Sequence, residues 1–137
     1  MANAVYDLWK DLVLEAGTGE AALDLTSATL KVAAIDTGTY TFSQAHQFYD
    51  DGPEAGTVGT PVTLGSITHL AGTLDTADAT FTDLDGTSIE ALVLFMDTGT
   101  PGTSPLLCYI DTNVTGLPLT TDGEATVTWD ASGIFDL

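Results

Sequence analysis

The stretch that decides the fold runs from Ser88 to Asp111, SIEALVLFMDTGTPGTSPLLCYID. After Glu90 come six consecutive apolar residues, Ala91 to Met96, which is the pattern of a strand covered on both faces. Gly99, Pro101, Gly102 and Pro105 then interrupt regular structure, because proline lacks an N–H and glycine favours turns. A second apolar run, Leu106-Leu107-Cys108-Tyr109-Ile110, follows at once. Two such runs joined by a breaker-rich connection predict neighbouring antiparallel strands in the middle of a sheet.

Working outward, Ile67–Leu74 and Ala77–Leu84 are predicted to be short strands, and Asp85-Gly86 reads as a two-residue hairpin turn into the central strand. Ala28–Ile35 is a further strand, closed by Asp36-Thr37-Gly38. Ser43 is placed to cap a short helical turn over 44–49, which Asp50-Asp51-Gly52-Pro53 ends. Residues 52–65 read as a surface loop with one edge strand near Val62–Leu64. Beyond the central pair, 111–118 is expected as a loop. Asp122-Gly123 reads as another hairpin turn before the alternating Ala125, Val127 and Trp129, and the apolar tail 133–137 is expected to dock.

At the other end, Val5, Leu8, Trp9, Leu12 and Val13 recur at helical spacing with charged residues between them. They predict an amphipathic helix over 2–16, ended by Gly17 and Gly19, whose apolar stripe packs on the sheet. The fold class expected is therefore all-β: an antiparallel β-sandwich or partly open barrel with one N-terminal helix and a short helical turn, in a single unit spanning 1–137.

Charge is the strongest compositional signal. Twenty acidic residues face Lys10 and Lys31 alone, with no arginine, for a net charge of −18 on 137 residues. Such a surface repels nucleic acid and anionic lipid, so neither is an expected partner. Its self-repulsion costs stability unless salt screens it, which points to a host living in concentrated salt, with calcium binding or plain solubility as the competing explanations of the acidity. The hydrophobic share of 44% is a folding composition, not a disordered one. No apolar run is long enough to span a bilayer, and the amino terminus lacks a basic-then-apolar leader pattern, so assembly without passage through a membrane is expected. The single cysteine, Cys108, lies in the central strand and reads as a small core hydrophobe.

Few constellations suggest chemistry. Asp36-Thr37-Gly38 and Asp97-Thr98-Gly99 each follow an apolar strand, as in aspartic proteases, where two aspartates share a proton. The chain is too short for a two-lobed enzyme of that kind, and both read first as turns. Asp83-Leu84-Asp85-Gly86 with Glu90 has the wrong spacing for an EF-hand. Asp75 with Asp78, or Asp50 with Asp51, could lend oxygens to a structural calcium; no other cofactor or metal is expected. His46 and His69 stand apart from any nucleophile or second ligand. The Gly-Thr-Gly at 17–19 has no lysine after it and cradles no phosphate. Trp9 and Trp129 read as core anchors, or as hot spots for another copy or a neighbouring protein.

The order of pieces resembles a group of small virion structural proteins of tailed viruses. The likeness runs through Leu8-Trp9-Lys10-Asp11-Leu12, the strand from Asp24 to Asp36, Ala45-His46-Gln47-Phe48-Tyr49-Asp50-Asp51, the strand-loop-strand from Phe95 to Ile110, and Thr128-Trp129-Asp130-Ala131-Ser132-Gly133-Ile134. It leaves out roughly 52–72, and this chain departs from the group in its acidity. The resemblance implies a structural, non-enzymatic role at the capsid surface of a virion. As a decoration or cement protein, the chain would bind the major capsid protein and itself, with a trimer as the expected oligomer. A tail, neck or fibre-attachment component is the alternative, and a carbohydrate- or cell-surface-binding β-sandwich the third; exposed tryptophans would favour the third. The candidate partner contacts are Trp9, Asp50, Asp51, Pro53, Asp97, Thr98, Gly99, Pro101 and Pro105, because loops and aromatic anchors carry most binding.

Overall fold

The computed structural model describes residues 3–15, 25 and 28–136. The predicted helix end at Gly17 and Gly19, the Gly-Thr-Gly motif, Ala2, Ala16, Leu137 and, apart from Leu25, the first four residues of the Asp24 to Asp36 segment lie outside them.

The run from Ala91 to Ile110 does build the centre. β1 (Ala4–Val5), β2 (Leu30–Ile35), β3 (Thr57–Thr63), β7 (Ala91–Met96) and β8 (Leu106–Ile110) form a five-stranded antiparallel sheet in the order β1-β8-β7-β2-β3. The two apolar strands are adjacent, with Leu92 opposite Ile110 and Leu94 opposite Cys108. On β7, Leu92 and Leu94 point to one core while Ala91, Val93 and Phe95 point to the other, so the six-residue apolar run is explained by burial on both faces. β8 obeys the same alternation except at a bulge, where the register slips between Leu94 and Phe95. There Leu107 and Cys108, consecutive in sequence, both enter the first core.

That first core is the interior of a β-sandwich. Its second layer is made by β6 (Ala79–Asp85), β10 (Asp122–Trp129) and β9 (Val114–Thr115), in the order β6-β10-β9. A small sheet lies alongside and combines β4 (Thr68–Leu70), β5 (Thr73–Asp75) and β11 (Phe135–Asp136), in the order β11-β5-β4. Leu30, Val32, Leu92 and Leu94 from the central sheet share this core with Phe81, Val127, Trp129, Leu74 and Ile134. Fully burying one such side chain contributes about 1.5–3 kcal/mol. The edges of the two layers meet where Asp83 of β6 accepts the Thr60 N–H at 2.9 Å and the Thr60 hydroxyl at 2.5 Å.

Several expectations are corrected. The helix α1 spans Asp7–Glu15, because Ala4–Val5 is taken into the sheet beside Cys108 and Tyr109. Asp85-Gly86 turns the chain but makes no hairpin: β6 pairs with β10, and the link to β7 crosses between layers. Asp122-Gly123 makes no hairpin turn but opens β10, where the register shifts between Gly123 and Ala125. The strand expected over 67–74 is two strands folded at Ala71-Gly72, whose φ angles of 54° and 89° are both left-handed, as a tight hairpin requires. Residues 52–65 contain a short helix, α2 (Pro53–Gly56), and the whole of β3, not a loop with a brief strand. The helical turn expected over 44–49 lies later, as a 3-10 turn at Tyr49–Asp51.

Candidate contact surface

Apart from Trp9, the predicted contact residues lie on the side of the second face of the central sheet. That face is covered by the irregular chain between β2 and β3 and lined by Tyr6, Tyr40, Tyr49 and Tyr109 together with Ile35, Val93, Phe95 and Leu106. Irregular chain over a sheet must satisfy its own backbone polar groups, and here acidic side chains do much of that. Asp36 accepts from the Gly38 N–H at 2.8 Å and the Thr39 hydroxyl at 2.9 Å. Glu90 accepts from the Ser88 hydroxyl and from the Thr37 N–H at 3.0 Å, which together hold its carboxyl below the usual range. The cover comes so close at Gly56 that an added Cβ would stand 2.5 Å from the Tyr40 Cβ, so only glycine fits.

Two segments on this side form one surface, 47–53 and 97–105. Tyr49 N–H donates to the Ser104 carbonyl at 3.0 Å, Leu106 N–H to the Gln47 carbonyl at 2.9 Å, and Phe48 and Pro105 form an isolated bridge. Tyr49 stacks flat on Phe95, centroids 4.1 Å apart and planes within 8°. Asp51 accepts the N–H groups of Phe48 and Gln47 at 2.8 and 2.7 Å, which lower its pKa. Asp97 is held low by Lys31, whose Nζ lies 2.6 Å away, and by the Gly99 N–H at 2.9 Å. Ser104, fully buried, donates its hydroxyl to the Thr100 carbonyl at 2.8 Å and receives the Thr98 N–H at 3.1 Å. Both segments are therefore tied down by their own hydrogen bonds, which lowers the entropic cost of binding anything.

Among the predicted contacts, Asp50, Asp51, Thr98 and Gly99 are exposed on this surface, and Asp97, Pro101 and Pro105 are half-buried in it. An added Cβ on Gly102 would stand 2.9 Å from Asp50, which shows how closely the two loops meet. Pro53 is buried at the start of α2 and offers no surface. Trp9 is 2% exposed within the sandwich core, so it is a packing residue of this chain and not a contact. Trp129 is 7% exposed, with its indole N–H on the Ala77 carbonyl at 3.0 Å.

Asp36 and Asp97 follow opposite ends of the antiparallel pair β2–β7, in which Ile35 faces Ala91 and Leu30 faces Met96. Two carboxyls so placed cannot share a proton. Among the described residues no three His, Cys, Asp or Glu side chains converge as metal ligands. No described helix is long and apolar enough to cross a membrane.

Sequence reasoning missed a buried polar chain under the cover. The Tyr6 and Tyr40 hydroxyls lie 3.0 Å apart, and Tyr40 lies 3.0 Å from His46 Nδ1. Burial pushes the pKa of both phenols up, aided at Tyr6 by its bond to Tyr40. The only signal in sequence was tyrosine itself, a residue that buries its ring but needs a partner for its hydroxyl. Comparison with known proteins adds nothing here: the chain matches no family model, no curated protein and no solved structure.

Proposed function

We propose that the protein is a capsid decoration protein of a tailed virus, binding the major capsid protein through the joined surface 47–53 and 97–105. The observation that carries this reading is that joining: two loops distant in sequence are locked to each other and to the central sheet before any partner arrives. A protein that cements a shell must add contacts without losing them again to loop ordering. The resemblance of 45–51 and 95–110 to small virion proteins supports the same assignment. Both tryptophans are buried, which counts against a carbohydrate-binding surface built on exposed indole rings.

Charge shapes how such binding would work. With Lys10 paired to Asp7 at 3.0 Å and Lys31 paired to Asp97, no lysine stands ready to meet an acidic partner. The shell surface it meets would be basic or uncharged, and concentrated salt would screen the remaining repulsion.

The test is copy number per particle, measured by quantitative mass spectrometry on purified virions and on tail-free heads. A ratio near one to the major shell protein in both preparations is expected. A few copies that disappear with the tail would overturn the decoration reading in favour of a tail or neck component.

A further inference from the structure

Residues 55–74 take almost no part in the proposed capsid contact, and most of them lie in the stretch that the family resemblance leaves out. Twenty consecutive residues there carry no Asp, Glu, Lys or Arg, in a chain whose net charge is −18. They include β4, all three of whose residues are exposed, with Leu70 at 81%. β4 is the outer strand of its sheet, and no other described strand pairs with its free side.

Exposed strand edges are usually blunted by a charge, a lysine or a proline, because an open row of N–H and C=O groups invites pairing. This chain has acidic residues in abundance and places none there. The opposite edge of the same sheet, β11, carries Asp136. From the open, uncharged edge we infer that β4 is the interface through which two copies of this chain pair, strand edge to strand edge, about a two-fold axis.

Geometry fixes the register. With a two-residue turn at Ala71-Gly72, Leu70 and Thr73 exchange hydrogen bonds, as do Thr68 and Asp75, whereas His69 faces Leu74 without doing so. The backbone N–H and C=O of His69 therefore point away from β5, toward the open side. Antiparallel pairing centred there sets His69 against His69 of the second copy and Leu70 beside its Thr68. Thr68 and Leu70 also line a shallow groove of about 250 Å³ with Thr73, Asp75, Ala131, Ser132 and Gly133, over which the second copy's Leu70 would lie. A second copy suits the site because it brings the same uncharged strand, so two highly acidic bodies meet along edges that carry no charge themselves, and the repulsion left between the Asp75 carboxylates of the neighbouring strands is one that salt screens. Three paired residues make a small interface, so the association is weak and strengthens with salt. The inference takes up the self-association half of the functional reading and replaces a trimer with a two-fold pair. It is read in solution, without particles, so its failure and that of capsid binding are seen separately.

The test is sedimentation equilibrium in low and molar salt, at up to about 1 mM protein, the range in which weak pairs form. The mass should rise from 14.2 kDa toward twice that value as salt increases. Leu70→Asp with Thr68→Asp should weaken association at least about tenfold, while Leu14→Asp, at another highly exposed leucine, should not. Separately, the His69→Cys chain should cross-link rapidly into a disulfide dimer while buried Cys108 stays silent, and the Thr80→Cys chain should not. A wild-type chain that stays monomeric throughout, a doubly substituted chain that associates like wild type, or a His69→Cys chain that cross-links no faster than the Thr80→Cys chain would each overturn the proposal.

Discussion

The two faces of the central sheet are covered by different means. The sandwich face meets other strands and is almost wholly aliphatic, with Leu30, Val32, Leu92 and Leu94 supplying shape alone. The other face meets irregular chain and uses four tyrosines, whose rings fill space while hydroxyls such as those of Tyr6, Tyr40 and Tyr49 engage polar partners. A strand layer satisfies its own backbone and needs only apolar filling. A loop layer needs hydrogen-bond partners built into the core beneath it, and in this molecule that second layer is the one that presents the candidate contact surface.

The largest expected effect lies on the aliphatic face. Leu94→Ala should lower unfolding free energy by about 2–5 kcal/mol, read from denaturant melts in concentrated salt, because a buried leucine leaves a cavity that strands cannot close. A loss well under 1 kcal/mol would mean that the sandwich core is not closely packed.

The tyrosine face should show an asymmetry that the aliphatic face cannot. Tyr40→Phe leaves the fully buried Tyr6 hydroxyl without a partner and should cost about 1–3 kcal/mol, whereas Tyr6→Phe removes one bond and should cost about 0.5–1.5 kcal/mol. Equal costs would show that the Tyr6 hydroxyl finds another partner.

The same face should respond to pH at both ends. Tyr6 and Tyr40 are raised, and Tyr109 is pushed up to about 12, all chiefly by burial. Groups raised in the fold contribute stability that is complete below the ordinary tyrosine value near 10 and is lost as pH climbs toward their folded values. Tyrosinate absorbance should therefore appear together with unfolding, not before it. Asp51, Asp97 and Glu90 are lowered by their hydrogen bonds, so their contribution holds above the ordinary carboxylate value near 4 and fades as pH falls through the folded ones. Asp51→Asn should flatten that acid limb; an unchanged limb would show that Asp51 contributes nothing to it.

The smallest effect is expected from the half-buried ion pair at the rim. Lys31→Gln should cost about 1 kcal/mol, and less in molar salt, since such pairs are screened. A salt-independent loss would assign Lys31 a packing role instead.

The contrast between faces also explains what could be read from sequence. The run Ala91–Met96 announced a doubly covered strand, and Leu106–Ile110 its neighbour, because burial on both sides leaves no polar position. The hairpins were harder: Asp85-Gly86 has hairpin chemistry, yet β6 took its partner from β10, far along the chain, where Asp85 lies opposite Asp122. Ala71-Gly72 went unnoticed because alanine rarely takes a left-handed conformation, while here φ is 54°. Of the contact surface, Asp50, Asp51 and the 97–105 loop were legible as loops. Their union was not, since it depends on bonds such as Tyr49 to Ser104 across distant sequence. Trp9 misled for the opposite reason: a large aromatic on a helix serves a core and an interface equally well until its burial is seen.

In the proposed role, the joined loops over the tyrosine face meet the capsid shell. Hydrogen–deuterium exchange comparing the free protein with the protein bound on intact heads tests it most directly. Added protection concentrated in 47–53 and 97–105, with β6 and β10 unchanged, is the predicted result. Protection confined to β6 and β10, with these loops exchanging as in the free protein, would contradict it.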